Sequence, residues 1–158
     1  MSEIKTNAMR ILEKQKISYQ TYEYEHGKEA VDGVTVAKLL HQNPEQVFKT
    51  LVTRGHSKNY FVFVIPVEHE LDLKKAAKAV KEKSVEMIHV SEINAVTGYI
   101  RGGCSPIGMK KLYQTVIHES AQAFPTIMVS AGKIGHQVEL SPQDLANLIH
   151  AIFADIIF

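Results

Sequence analysis

A chain of 158 residues with 45% hydrophobic side chains is the size at which one domain buries a core of its own. Its 18 Lys+Arg stand against 17 Asp+Glu for a net charge of +1, which excludes the global basic excess of a dedicated nucleic-acid binder. The lone cysteine, Cys104, excludes an internal disulfide and a cysteine-rich zinc site, and points to a reducing compartment, the cytosol.

Residues Met1 to Asn7 lack the basic-then-apolar order of a signal peptide, and no apolar run is long enough to span a bilayer, so a soluble cytoplasmic protein is expected. Ala8, Ile11 and Leu12 recur at helical spacing to about Ile17; Tyr19, Thr21 and Tyr22 then favour an extended segment. Thr35 can cap a short helix carrying Val36, Leu39 and Leu40, which Asn43-Pro44 breaks. Val47 to Thr53 reads as a strand, Gly55 to Asn59 as a turn, and Tyr60 to Val67 as the second arm of a hairpin. From Leu71 to Lys83, apolar Leu73, Ala76, Ala77 and Val80 alternate with lysines, the pattern of an amphipathic helix with its basic side outward and Asp72 near its start.

Ser91 to Val96 suggests a short helix, and Thr115 to Ile117, Ile127 to Val129 and Gln137 to Leu140 suggest strands. Ser141-Pro142-Gln143-Asp144 is a helix start: a capping hydroxyl, proline at the first helical position and an acid in the first turn, ahead of Leu145, Leu148 and Ile149. The apolar C-terminus, interrupted by Asp155, reads as a core helix or strand. Strands and helices interleave without a strict βαβ rhythm, repeat or linker, so residues 1–158 are expected to form one mixed-sheet α/β or α+β domain.

The densest local anomaly is the glycine-rich run from Thr97 to Gly108. Glycines cluster where a backbone turns sharply or approaches a ligand closely, and such a loop can offer amide N–H groups to an oxyanion or phosphate. Gly103 to Gly108 has the gap of a phosphate-binding Walker loop, but Met109 stands where lysine is required, and Gly102-Gly103 lacks the dinucleotide-binding spacing. The run is therefore either a structural turn or an anion-friendly loop. Lys49 is the second anomaly. In a strand Val47, Lys49 and Leu51 share one face and Phe48, Thr50 and Val52 the other, so Lys49 lies among apolar neighbours either way. A lysine desolvated there has a lowered pKa or needs an anion; the plain alternative is a lysine snorkelling from an edge strand. Ser130 to Gly135 is a further glycine turn, carrying Lys133.

Other chemistry is weakly supported. Cys104 has no histidine near it in sequence and reads as a buried or lining thiol. The eight histidines show no H-x-x-x-H or H-E-x-x-H spacing, so no metal is expected. Ser105 before Pro106 is more plausible as a turn hydroxyl than as a nucleophile. Five lysines between Asp72 and Lys83, with Lys110-Lys111, form either a solvated face or a basic patch.

Taken together, Val47 to Leu51, Leu71 to Ala79, Thr97-Gly98-Tyr99, Gly102 to Gly108 and Ser130 to Lys133 resemble the YbaK/EbsC family, free-standing relatives of the editing domain inserted in prolyl-tRNA synthetases. The resemblance runs from about Ile11 to Phe158. It implies an α+β domain with a twisted mixed sheet or barrel-like core surrounded by helices, needing no metal or other cofactor. It also implies an aminoacyl-tRNA deacylase, typically clearing cysteine from proline tRNA, with the acceptor end of aminoacyl-tRNA as partner and prolyl-tRNA synthetase as a second candidate partner.

By position Lys49 matches the essential lysine, Gly102, Gly103, Cys104, Ser105 and Pro106 match a G-x-x-x-P loop, and Tyr24, Thr50 and Ser130 match pocket residues. Gly132 and Gln137 are expected beside them. Lys74, Lys75, Lys78, Lys110 and Lys111 are the expected tRNA contacts. The family mechanism uses the substrate's own thiol, which attacks the ester carbonyl and leaves as a cyclic thiolactone. This chain departs from the pattern at Cys104, where many members have isoleucine, at Ala131 to Gly135, and near Gln137, where an aspartate is common. Clearance of another small amino acid such as alanine, and a tRNA- or synthetase-binding module without chemistry, therefore stand as alternatives. A phosphate-binding regulator is disfavoured by the failed Walker register.

Overall fold

The computed structural model describes residues 5–26 and 31–158. Helix α1, Asn7–Lys14, begins where the Thr6 hydroxyl accepts from the Met9 amide at 3.2 Å, and it buries Ala8, Met9 and Leu12. Strand β1, Gln20–Glu23, follows. Helix α2, Gly33–Leu39, is capped by Asp32 and not by Thr35 as expected. The Asp32 carboxylate accepts from the Thr35 amide at 2.9 Å and its hydroxyl at 3.0 Å, which holds its pKa below the usual carboxylate value. Thr35 is thus a first-turn partner of the cap, three residues after it.

Strands β2, Phe48–Gly55, and β3, Tyr60–Pro66, form the expected hairpin. Helix α3 spans only Leu73–Ala79, started by the Asp72 carboxylate accepting from Lys74 and Lys75 amides. It is shorter than expected because Lys81 turns left-handed at φ 60° and the Glu82 amide returns to the Ala77 carbonyl at 2.9 Å, closing the end. The chain freed by that turn makes β4, Val85–Met87, a strand the alternation did not reveal. A short 3-10 turn at Val90–Glu92 leads into α4, Ile93–Thr97, which Gly98 ends at φ 87°. Then come β5, Gln114–His118; β6, Ile127–Ser130; β7, His136–Leu140; α5, Pro142–Ile149, capped by Ser141; and β8, Ile152–Ala154. The C-terminal apolar segment is therefore strand.

The strands make two sheets in one α+β domain. The larger has the order β4-β2-β3-β5-β8, antiparallel around β2 and parallel across β3, β5 and β8; the smaller is antiparallel β1-β7-β6. They do not close into a barrel, so of the two core shapes expected the open sheet holds. They meet where Val47 bridges Met128, with the Met128 amide donating to Gln46 O at 3.0 Å. Phe48, Val62, Val64 and Ile117 from the large sheet pack with Ile127, Val129, Val138 and Leu140 from the small one, closed off by α1 and α5. On the other face Phe61, Phe63 and Ile65 pack against Ala76 and Ala77 of α3. Fully buried side chains of this size contribute roughly 1.5–3 kcal/mol each, so the junction of the sheets is fixed firmly enough to position a site. Among the described residues no helix is long and apolar enough to cross a membrane.

Candidate active site

The junction of the two sheets opens into a cleft of about 130 Å³. Its floor is Val47 and the start of β2, with Phe48, Lys49 and Thr50; one wall is Ser130, His136 and Gln137 from β6 and β7; the other is Gly102 and Cys104; Tyr24, Val31, Gly33, Val36 and Val67 complete it. Thus Lys49, Tyr24, Thr50, Gly102, Cys104, Ser130 and Gln137, scattered through the sequence, share one cavity.

Lys49 and Thr50 point to opposite faces of β2, yet both line the cleft, because the cleft wraps around an open strand edge. Val47 accepts from Val67 at 2.9 Å and the Gly55 amide donates to Asn59 O at 2.8 Å, so the odd-numbered residues of β2 exchange hydrogen bonds with β3. The even-numbered residues turn their N–H and C=O groups to the other edge. There β4 pairs only with Thr53 to Gly55, and Ile88 takes the Val52 carbonyl at 3.3 Å. The main-chain groups of Thr50 consequently point away from β3, to the edge left between β4 and β6. Its hydroxyl is buried and has no hydrogen-bond partner among the described residues, a state that costs about 1–3 kcal/mol unless a ligand satisfies it. Lys49 is half-buried, and among the described residues it has no ion pair or side-chain hydrogen bond.

The walls are held by glycine contacts. A Cβ on Gly103 would lie 3.0 Å from the Ile134 amide nitrogen and 3.3 Å from Lys133 Cα, so the glycine-rich loop touches the β6-β7 turn backbone to backbone. Gly132, at φ 94°, lies under Tyr99, whose ring carbon Cε1 would be 2.8 Å from a Cβ there. Tyr99 in turn donates its hydroxyl to Ile107 O at 2.5 Å. Ser105 is fully buried and accepts from the Ile107 amide at 3.2 Å, and Pro106 lines a separate groove near α5. Gly103, Ser105, Pro106 and Gly132 therefore lie behind the cleft surface and shape the loops that form it.

Burial pushes the Cys104 thiol up to about 11, with a Thr97 contact acting the other way. It is protonated at neutral pH and packs near Val52, Ile88 and Val96, as a wall and not a nucleophile. Gln137 is buried, and its Oε1 accepts from Gln42 Nε2 at 2.7 Å. His136, which motif spacing did not single out, lines the cleft. Burial lowers its pKa below the usual 6.5; Glu23 opposes the shift, while Lys133 and His26 add to it. The roof from α2 was also missed, since the contact that sets it, Gly33 against Val67 with a Cβ distance of 2.3 Å to Val67 Cγ1, is tertiary.

The structure brings none of the expected tRNA-contacting lysines into the cleft. Lys75 is held by Asp155 at 2.9 Å and by the Ile157 carbonyl at 2.8 Å. Lys74 and Lys78 border a groove between α3 and β4. Lys110 donates to Ala95 O at 3.3 Å, and Lys111 borders the groove that contains Pro106. Among the described residues no group of three or more His, Cys, Asp or Glu side chains could hold a metal ion.

Comparison with known proteins adds a second line. A sequence profile of the aminoacyl-tRNA editing domain matches residues 28–148. The chain is 49% identical over 152 residues to an Enterococcus faecalis protein, EbsC, described as a candidate Cys-tRNA(Pro)/Cys-tRNA(Cys) deacylase; the match covers 96% of this chain and 93% of that one. A crystal structure described as a candidate trans-editing enzyme for prolyl-tRNA synthetase superposes with a TM-score of 0.80 at 21% identity, covering 97% of this chain and 98% of that one. The crystal structure of a hypothetical protein superposes at 0.85 with 18% identity, covering 94% and 97%. At those identities the two structures show a shared fold.

Proposed function

This chain belongs to the aminoacyl-tRNA editing domain family, and on that premise we propose that it is a trans-editing deacylase that removes cysteine from tRNA(Pro), and also from tRNA(Cys). The observation that carries the reading is the convergence of Lys49, Thr50, Gly102, Ser130 and Gln137 on one cleft of about 130 Å³. That volume is slightly below the roughly 150 Å³ of a cavity that takes benzene, so it suits a small amino-acid side chain. Between cysteine and alanine such a pocket discriminates by only about 1–3 kcal/mol, the range for a single methylene.

The chemistry asks little of the protein. The substrate thiol attacks the ester carbonyl carbon; the C–S bond forms, the C–O bond to the ribose breaks, and the thiol proton ends on the departing ribose oxygen. The products are a cyclic thiolactone, which water opens, and free tRNA. The chain's own contribution is orientation and stabilisation of the carbonyl oxygen as charge develops. The Thr50 main-chain N–H, on the open edge of β2, and the ammonium of Lys49, lacking a protein counter-charge among the described residues, are the groups assigned to that oxygen. The unpaired Thr50 hydroxyl and Gln137 are assigned to holding the aminoacyl group, and Tyr24, Cys104 and Ser130 to closing around it. Lys74, Lys78 and Lys111, exposed and outside the cleft, are assigned to the body of the tRNA beyond its terminal nucleotides.

The test is single-turnover deacylation of Cys-tRNA(Pro) by Lys49→Ala. Loss of one preorganised oxyanion partner is expected to slow cleavage by about 10²–10³-fold. Turnover near that of the unaltered chain would remove Lys49 from the reaction.

A further inference from the structure

We propose that Arg101 and Lys133 form a cationic rim at the mouth of the cleft that takes the phosphates of the last nucleotides of the acceptor strand, an inference that rests on the deacylase reading above. Local lysine density and helix periodicity point to the lysines of α3. The geometry directs it elsewhere.

Arg101 immediately precedes Gly102, which lines the cleft, and Lys133 sits in the turn between Ser130 and His136, which line it too. Both side chains are exposed. The two loops that carry them are in backbone contact, since a Cβ on Gly103 would be 3.3 Å from Lys133 Cα. Two cations from distant parts of the sequence are thereby anchored within two residues of one contact, on loops whose other residues form the cleft walls. Among the described residues neither has an ion pair or a side-chain hydrogen bond. The charge of Lys133 also reaches the cleft, for it bears on His136. Glu23, the cross-strand neighbour of His136, offsets part of that charge.

The size of the cleft makes a cation at its mouth useful. A cavity of about 130 Å³ accommodates the amino acid only, so the terminal ribose and the phosphates that follow it must lie outside. Phosphate contacts from Arg and Lys fix register without reading bases, which is the task of holding an ester over Lys49. The glycines that bring the loops together therefore shape the ester site and also set the spacing of the rim.

The experiment measures the affinity of uncharged tRNA(Pro) for the full chain across a salt series, in the unaltered protein, the double variant Arg101→Gln/Lys133→Gln, and the control Lys58→Gln in the β2-β3 turn. Thermal melts verify that each folds. Loss of two single-strand phosphate contacts is expected to reduce the magnitude of the slope of log K against log salt by about 1.4, while the control keeps the full slope. A double variant with the full slope overturns the rim. Deacylation of Cys-tRNA(Pro) is measured on the same preparations. Activity in the unaltered chain together with an unchanged slope in the double variant overturns this inference alone, whereas an unaltered chain that cleaves no charged tRNA overturns the deacylase reading and the rim with it.

Discussion

Gln42 Nε2 donates to Gln137 Oε1 at 2.7 Å, tying the loop that follows α2 to the strand that forms one wall of the cleft. The bond joins residues 95 apart in sequence, and Gln137 is almost entirely buried. It fixes which way the Gln137 amide is turned where it meets the cleft. Gln42→Met keeps the approximate volume and removes the bond. A typical neutral hydrogen bond contributes about 0.5–1.5 kcal/mol, so the thermal midpoint should fall by roughly 1–6 °C. The KM for Cys-tRNA(Pro) should rise as Gln137 loses its orientation. Steady-state kinetics and a melt on the same sample check both.

Gly132 is a position where a single added carbon should be costly. It stands at φ 94°, and a Cβ would meet the Tyr99 ring at 2.8 Å. Gly132→Ala therefore combines left-handed strain, of order 1–3 kcal/mol, with displacement of Tyr99 from Ile107 O. A denaturant titration should show a lower midpoint with the slope preserved. A variant as stable as the unaltered protein would mean that the two loops are not coupled through Tyr99.

Two buried histidines predict acid sensitivity. Burial lowers the pKa of both His118 and His136 below 6.5, and the neutral His118 Nδ1 accepts from the Ile156 amide at 3.3 Å. Folding therefore favours the unprotonated rings. The stability they support is complete above about pH 6.5, the unfolded value, and is lost as pH falls from there through their lower folded values. Melts between pH 8 and pH 5 should show a declining midpoint. His118→Asn should flatten part of that decline.

Cys104 should be a poor target for thiol reagents despite lining the cleft. A thiol pushed up to about 11 from an ordinary 9.0 has a thiolate population at pH 8 lower by about a hundredfold. Alkylation in the native state should be slower than in denaturant by at least that factor. Comparable rates would place the sulfur in solvent.

Local signals carried much of the fold. The β2-β3 hairpin, the Asp72 and Ser141 caps and the β6-β7 turn each announce themselves within a few residues, and they form where expected. The three-residue β4 does not, because it exists only by pairing with the far end of β2. The length of α3 was misread for a related reason: its lysine-apolar alternation continues to Lys83, but the left-handed turn at Lys81 stops it. At the site, sequence order and resemblance singled out Lys49 and the glycine-rich loop together. They could not reveal that Ser105 and Pro106 lie behind the surface, that α2 roofs the cleft, or that His136 faces it, since each depends on which backbone approaches which. Amphipathicity showed that the α3 lysines face outward without showing that they border a different groove.

The central claim is a small-amino-acid deacylase, and a panel of tRNAs charged with cysteine, alanine, serine and proline tests it most directly. The initial rate of deacylation should be well above background for Cys-tRNA(Pro) and near background for Ala-tRNA, Ser-tRNA and Pro-tRNA, which lack the thiol. Background rates on all four would contradict the account.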